Sequence, residues 1–260
     1  GMEIASRSAV FIRQHFARNL YDRIHTRPFL SDLTKNWIAF QVLCSVSQAH
    51  SMGVAHGDLK TENIFMSSWN HAVLSDFAWF KPLFLPEDDP SEFSFFFESN
   101  LNRRRCYLAP ERFDAAPRRF ASSATRDQFS LELEAMDIFS LGCVLAELYL
   151  DGQTLMDLPQ LLLYRARQHD LSVKVSSIRN TAVQEMINSM IHWEPSERKP
   201  AAEYLRQWCD RVAPRAFCNC LFPLSVLLLH PIHQHPDMRV LLIRRNFSNI
   251  LWSTVGPEKI

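Results

Sequence analysis

Residues 136–149 constrain this chain more than any other stretch. Ile138, Phe139, Leu141, Val144, Leu145 and Leu148 do not keep to one face, and apolar side chains run nearly all the way round. A helix of that kind is buried on every side. It must therefore be the central rod of a helical lobe. A chain of 260 residues, 47% hydrophobic and 22% charged, has room to build that lobe as one large domain or as a domain plus a fragment.

Upstream of the rod stands His56-Gly57-Asp58-Leu59-Lys60-Thr61-Glu62-Asn63, followed by Asp76-Phe77-Ala78 and then Ala109-Pro110-Glu111. In that order they match the catalytic loop, the metal-binding tripeptide and the end of the activation segment in the protein-kinase signature. A lone His-x-Asp is weak evidence; three motifs in sequence are specific. In that pattern Asp58 accepts or orients a hydroxyl proton, and Lys60 lies beside the transferred phosphoryl group. Asn63 and Asp76 hold metal bridging the phosphates, since phosphoryl transfer rests on positioning and charge neutralisation. Asp137, at the start of the rod, is a candidate to hold the catalytic-loop backbone, as its kinase counterpart does; the plainer alternative is an acid favoured by the helix dipole. Arg198 would form a buried ion pair with Glu111, a structural contact and not a catalytic one.

The flanking segments suit a kinase large lobe. A short helix is expected within 10–30, stopping near Pro28. A second is capped by Ser31 or Asp32, carries Trp37, Ile38, Phe40, Val42, Leu43, Val46 and Ala49, and stops at Gly53. Apolar runs at 64–66 and 72–74 predict a small hairpin that sets Asn63 and Asp76 on facing sides of one cleft. The activation segment, 76–111, holds an acidic piece, the cluster Phe93, Phe95, Phe96 and Phe97, and the triplet Arg103, Arg104 and Arg105. The phenylalanines read as packing groups on the lobe or on a partner. Residues 112–133 read as a polar loop. Amphipathic helices are expected at 158–168, 181–192 and 201–211, and one or two helical segments across 216–255.

A kinase small lobe supplies a glycine-rich loop and a strand lysine. Six glycines, at 1, 53, 57, 142, 152 and 256, cannot make that loop, and the single lysine before His56, Lys35, falls inside the second helix. The expectation is a large lobe without its small lobe, feeble in catalysis as it stands. Gly57 replaces the arginine that grips a phosphorylated segment, Arg104 replaces a threonine three before Tyr107, and Ala78 replaces the glycine of the tripeptide.

Charges balance, 28 basic against 28 acidic, so no basic footprint suggests nucleic acid. Six cysteines without a Cys-x-x-Cys pair fit reduced thiols better than a disulfide framework. The apolar stretch at 216–229 is fourteen residues and interrupted, short of the roughly twenty that cross a bilayer. No secretory signal is expected. A metal site built from His230, His233 and His235 with Cys218 and Cys220 is a further, weaker reading.

Several longer phrases are narrower than the general signature: Asn19-Leu20-Tyr21-Asp22-Arg23-Ile24, Thr26-Arg27-Pro28-Phe29-Leu30, His56-Gly57-Asp58, Ser75-Asp76-Phe77-Ala78, Leu85-Pro86-Glu87-Asp88, Arg103-Arg104-Arg105-Cys106-Tyr107 through Phe113, and Met136-Asp137-Ile138-Phe139-Ser140. With them, from about residue 10 to 255, the chain resembles the regulatory serine/threonine-kinase subunit of class III phosphatidylinositol 3-kinase complexes, a vacuolar protein-sorting family. The resemblance implies a mainly α, α+β protein-kinase-like fold: a kinase C-lobe with a small β-hairpin over 1–211, then the start of an α-helical repeat region over 212–260. It implies ATP and Mg2+ as cofactors, with Asp58 and Lys60 catalytic, Asn63 and Asp76 binding metal and nucleotide, and His56, Glu111, Asp137 and Arg198 structural. It implies as partners the lipid-kinase catalytic subunit and a beclin-like subunit. The expected place is the cytoplasm, peripheral on late endosomal and autophagosomal membranes through the complex and not by a transmembrane segment. The alternative is an inactive pseudokinase scaffold that binds and regulates the lipid kinase.

Overall fold

The computed structural model describes residues 2–5, 8–11, 13–78, 80–86, 88–98, 104–113, 126–213, 217, 224 and 235–255. The expected helix near the start is shorter than its pattern suggested. Strands β1 (Met2–Ala5) and β2 (Ser8–Phe11) form an antiparallel hairpin instead, and β3 (Arg18–Asn19) leads into a single helix of six residues, α1 (Leu20–His25). Asn19 caps α1 by accepting from Asp22 N–H at 2.8 Å. The helix is therefore set by its cap and by Leu20 and Ile24, which are buried.

Helix α2 (Asp32–Ser51) starts where its sequence cap lies: the Ser31 hydroxyl accepts from Thr34 N–H at 3.2 Å. Lys35 is inside α2, buried, with its ammonium 2.7 Å from Asp151. Strands β4 (Ile64–Met66) and β5 (Ala72–Leu74) pair in the expected hairpin, and β3 adds on the other side of β4 to give an antiparallel order β3-β4-β5. Gln41 ties this sheet to α2. Its amide donates to Asn70 O at 3.0 Å and accepts from Ala72 N–H at 3.1 Å.

In the activation segment lies α3 (Pro90–Phe96), capped by Asp89. The polar stretch read as a loop over 112–133 is corrected by α4 (Arg126–Tyr149), whose first turns lie inside it; residues 114–125 lie outside the described set. Polar side chains on the first turns of a helix look like loop composition until the apolar rod begins. From Phe139 to Leu148 the rod is buried all round, with Phe139, Leu141, Val144, Leu145, Ala146 and Leu148 wholly enclosed. Helices α5 (Leu158–Arg165), α6 (Ser172–Val175) and α7 (Thr181–Met190) follow. Helix α4 packs on α2 and α7. The contact with α7 is close enough to require Gly142: a Cβ there would lie 2.7 Å from Ile191 Cγ2 and 2.9 Å from Met190 Cβ. The ion pair expected at the base of the lobe is formed, Arg198 meeting both Glu111 oxygens at 2.6 and 2.9 Å.

The chain divides into two compact units, Gly1–Ala202 and Glu203–Ile260. Helix α8 (Ala201–Arg211) begins at the end of the first. In the second, the Trp208 ring meets Phe217 edge-on at 5.8 Å, and α9 (Pro236–Val255) is one continuous helix of twenty residues. Among the described residues no helix is long and apolar enough to cross a membrane.

Candidate active site

The catalytic loop is held from beneath by α4. Asp137, buried, accepts from His56 N–H at 2.6 Å and Gly57 N–H at 2.9 Å, while His50 Nε2 lies 3.1 Å from the same carboxylate. Of the two readings of Asp137, the backbone anchor is the one the geometry supports. Gly57 takes φ of +79°, a left-handed conformation that glycine reaches without strain.

His56 links this loop to the next motif. Its Nδ1 accepts from Asp58 N–H at 3.3 Å, which leaves Nε2 to donate to Ser75 O at 2.9 Å. Its ring lies 4.5 Å from Phe77, and its carbonyl accepts from Ala78 N–H at 2.8 Å. Burial pushes the His56 pKa down, against the opposing pull of Asp137, the Ser75 carbonyl, Asp58 and Asp76. The neutral ring is the form this network needs.

Asp58 is nearly buried, and its Oδ2 accepts from Asn63 Nδ2 at 3.0 Å and Lys81 Nζ at 2.7 Å and forms an ion pair with Lys60 Nζ at 2.9 Å. Asn63 also donates to Asp58 O at 2.8 Å, and its own carbonyl accepts from Ser75 N–H at 3.0 Å. Thus Asp58, Lys60 and Asn63 converge directly, and the Ser75 amide brings the next motif alongside them. Asp76 is half-exposed, in the left-handed region at φ +60°, and pairs with Arg13 at 2.9 Å. Aspartate tolerates that conformation better than most residues.

The donor set fits magnesium. Asp76 and the Asn63 amide are hard oxygen ligands, and magnesium is commonly held by one or two carboxylates together with substrate phosphates. Among the described residues no three His, Cys, Asp or Glu side chains gather into a closed metal cage. Of the proposed histidine and cysteine site, Cys218, Cys220, His230 and His233 lie outside the described residues, and His235 alone is described.

A second network supports the loop from the end of the activation segment. Tyr107 donates to Glu147 on α4, and its hydroxyl lies 2.9 Å from Thr61 Oγ1. Burial and the Glu147 carboxylate push the Tyr107 pKa well up, keeping the phenol a donor. Arg105 also bonds to Glu147, with its guanidinium 4.3 Å over the Tyr21 ring. Of the two described members of the triplet, Arg104 is exposed and Arg105 is built into the lobe, while Arg103 lies outside the described residues. Arg112 donates to Pro82 O at 2.6 Å and lies over Phe97 at 4.8 Å.

The residues that sequence reasoning missed are Lys81, Arg13, Glu147 and Arg112. Lys81 alone left a trace: it is the single lysine between Asp76 and Glu111. Of the cysteines, Cys106 and Cys44 are free thiols whose burial raises their pKa to about 12, so both stay protonated.

A protein kinase domain matches residues 4–209. The chain belongs to the protein-kinase family. Its curated relatives include the serine/threonine-protein kinase VPS15 of Arabidopsis thaliana, 44% identical over 94% of this chain, and that of Schizosaccharomyces pombe, 43% identical over 88%. The VPS15 kinase of Saccharomyces cerevisiae is 41% identical over 84%. These identities place the chain with the VPS15 kinases, and they agree with the large-lobe fold. The chain spans 16%, 13% and 15% of the lengths of those three relatives. Protein-kinase domains in general use ATP and a divalent metal ion.

Proposed function

We propose that this chain carries the catalytic-loop lobe of a serine/threonine-protein kinase that serves as regulatory subunit of a class III phosphatidylinositol 3-kinase complex. In this reading ATP and Mg2+ are its cofactors, and its partners are the lipid-kinase catalytic subunit and a beclin-like subunit. It acts in autophagy and vacuolar sorting, on the cytoplasmic side of late endosomal and autophagosomal membranes. One observation carries the phosphotransfer part: Lys60 and Asn63 both reach Asp58 Oδ2, at 2.9 and 3.0 Å. Asp58 then orients the hydroxyl of a Ser or Thr and takes its proton, and Lys60 faces the phosphoryl group in transfer. Asn63 and Asp76 are the residues that would hold magnesium, which when bound neutralises phosphate charge. The test is phosphate transfer from ATP to protein by the chain and by the whole protein containing it, wild type against Asp58→Asn. Transfer abolished in the variant is the expected result, and equal transfer in both overturns the reading.

A second reading, the inactive scaffold, is favoured by a different observation. Both key carboxylates are paired with cations of the chain itself, Asp58 with Lys81 and Asp76 with Arg13. Meanwhile Phe95 stands 81% exposed on the activation segment. Co-purification with the lipid-kinase subunit, before and after Phe95→Ser, tests that surface. Retention of the complex by the variant counts against it.

A further inference from the structure

Lys60 and Asn63 belong to the catalytic loop, where Asn63 N–H donates to Lys60 O at 3.0 Å in a tight turn. The third partner of the Asp58 carboxylate comes from elsewhere. Lys81 lies five residues beyond Asp76, on the activation segment, yet its Nζ is 2.7 Å from Asp58 Oδ2 against 2.9 Å for Lys60. Both lysine side chains are only 14% exposed, so the contact is sheltered from solvent, unlike a surface ion pair.

The segment is arranged to keep that lysine in place. Phe97, buried, meets two cations: Lys81 Nζ is 4.9 Å and Arg112 Cζ 4.8 Å from its ring centroid. A desolvated cation over an aromatic face is attracted by the ring quadrupole. Phe97 closes α3, its N–H donating to Phe93 O at 2.9 Å, and Asp89 caps the other end. Arg112 also holds Pro82, the residue after Lys81, by its carbonyl. Burial lowers the Lys81 pKa, with Lys60 and Arg112 acting the same way, and the hydrogen bond and charge of Asp58 oppose that loss.

A hydroxyl that gives its proton to Asp58 must come within about 2.6–3.2 Å of the carboxylate. The Lys81 ammonium already stands at that distance, with a full charge. We infer that Lys81 is a built-in cap on the catalytic carboxylate: α3 and Phe97 seat it where a protein substrate's hydroxyl would bind, and Asp58 becomes available when this segment lifts. The inference rests on the kinase reading of Asp58, and its test separates the two.

The measurement is amide hydrogen exchange on the whole chain, wild type against Lys81→Met, alongside transfer from Mg-ATP to a protein substrate. A hydrogen bond to a charged group contributes enough that its loss speeds local opening by on the order of tenfold or more. The expected result is faster exchange of that order at 91–97 with the rod at 138–148 unchanged, the same loosening in Asp58→Asn, and no further gain in the double variant. Should Lys81→Met lose protection in the rod as well, Phe97→Leu replaces it, with the same local loosening expected. Wild-type exchange at 91–97 in a variant whose rod stays protected overturns the cap. Transfer that depends on Asp58 but does not rise in Lys81→Met also overturns it and leaves the kinase reading intact. Local loosening with no transfer from any variant supports the cap and removes the kinase reading instead.

Discussion

The catalytic loop and the activation segment meet at Asp58, but they are held there by different kinds of force. The loop hangs from Asp137 by two backbone N–H bonds, just before the part of α4 that is enclosed all round. Those partners are fixed in the backbone, and losing them strands buried donors. The activation segment is fastened by side chains: Lys81 on Asp58, Phe97 against Lys81 and Arg112, and a helix of seven residues that is too short to be stable alone. One anchor must persist for the lobe to exist. The other can let go without unfolding it, as expected of segments that gate a site.

The contrast breaks most sharply at the base of the lobe. Arg198→Met leaves Glu111 buried without its cation, although Arg198 also donates to His192 O and Ala135 O. Removing one partner of such a pair typically costs about 3–5 kcal/mol. Urea denaturation should show a loss of that size for the whole first unit; a loss near zero would mean the pair is not what joins the segment's end to the lobe. Next comes Asp137→Ala. Two N–H groups and His50 lose their acceptor, and stranded buried donors cost about 1–3 kcal/mol each. From the two N–H groups alone the expected loss is roughly 2–6 kcal/mol, with exchange at His56 and Gly57 rising well before that of α4. Uniform exchange across loop and rod would erase the distinction between them.

The firm parts were the readable ones. The rod was legible from a local periodicity, whereas Asp137 and the Glu111–Arg198 pair, 87 residues apart, were legible because the kinase pattern assigns both. The Asp58, Lys60 and Asn63 group was legible from that pattern too, with one turn carrying all three. The hairpin of 2–11 was not: two four-residue strands beside arginines give too short an alternation to stand out. The first turns of α4 carry Glu132 and Glu134, whose polarity suits a helix surface as well as a loop. Lys81 left only the trace of being the single lysine between Asp76 and Glu111, and its pairing was hidden for a stronger reason. Its partner is 23 residues back in the chain, and nothing local to Phe80-Lys81-Pro82 reports a tertiary ion pair.

Acidity probes the junction between the two regions more gently. Burial lowers the pKa of His56, so the folded chain keeps the ring neutral where the unfolded chain does not. Above about pH 6.5 the ring is neutral in both states and contributes no pH dependence. As pH falls below that value the unfolded chain takes up the proton first, and stability drops until pH passes the lowered folded value. Denaturation midpoints between pH 7.5 and about 5 should therefore fall for the wild type and fall less steeply for His56→Asn. Parallel slopes would show that the ring is not held neutral by the network around Ser75 and Asp58.

The smallest effect is expected within α3 itself, where neighbouring phenylalanines have opposite surroundings. Phe97 is buried with Lys81 and Arg112 over its ring, whereas Phe95 is 81% exposed and meets the Phe96 ring edge-on at 4.8 Å. Phe95→Ser removes little buried area, and surface changes of that kind usually stay within about 0.5 kcal/mol. Its midpoint in urea should match the wild type within that margin, while Phe97→Ser loosens 91–97 in exchange. If Phe95→Ser instead destabilised the chain as much as Phe97→Ser, α3 would be packed on both faces. The activation segment would then be as firmly built as the loop, and the distinction between a fixed anchor and a releasable one would fail.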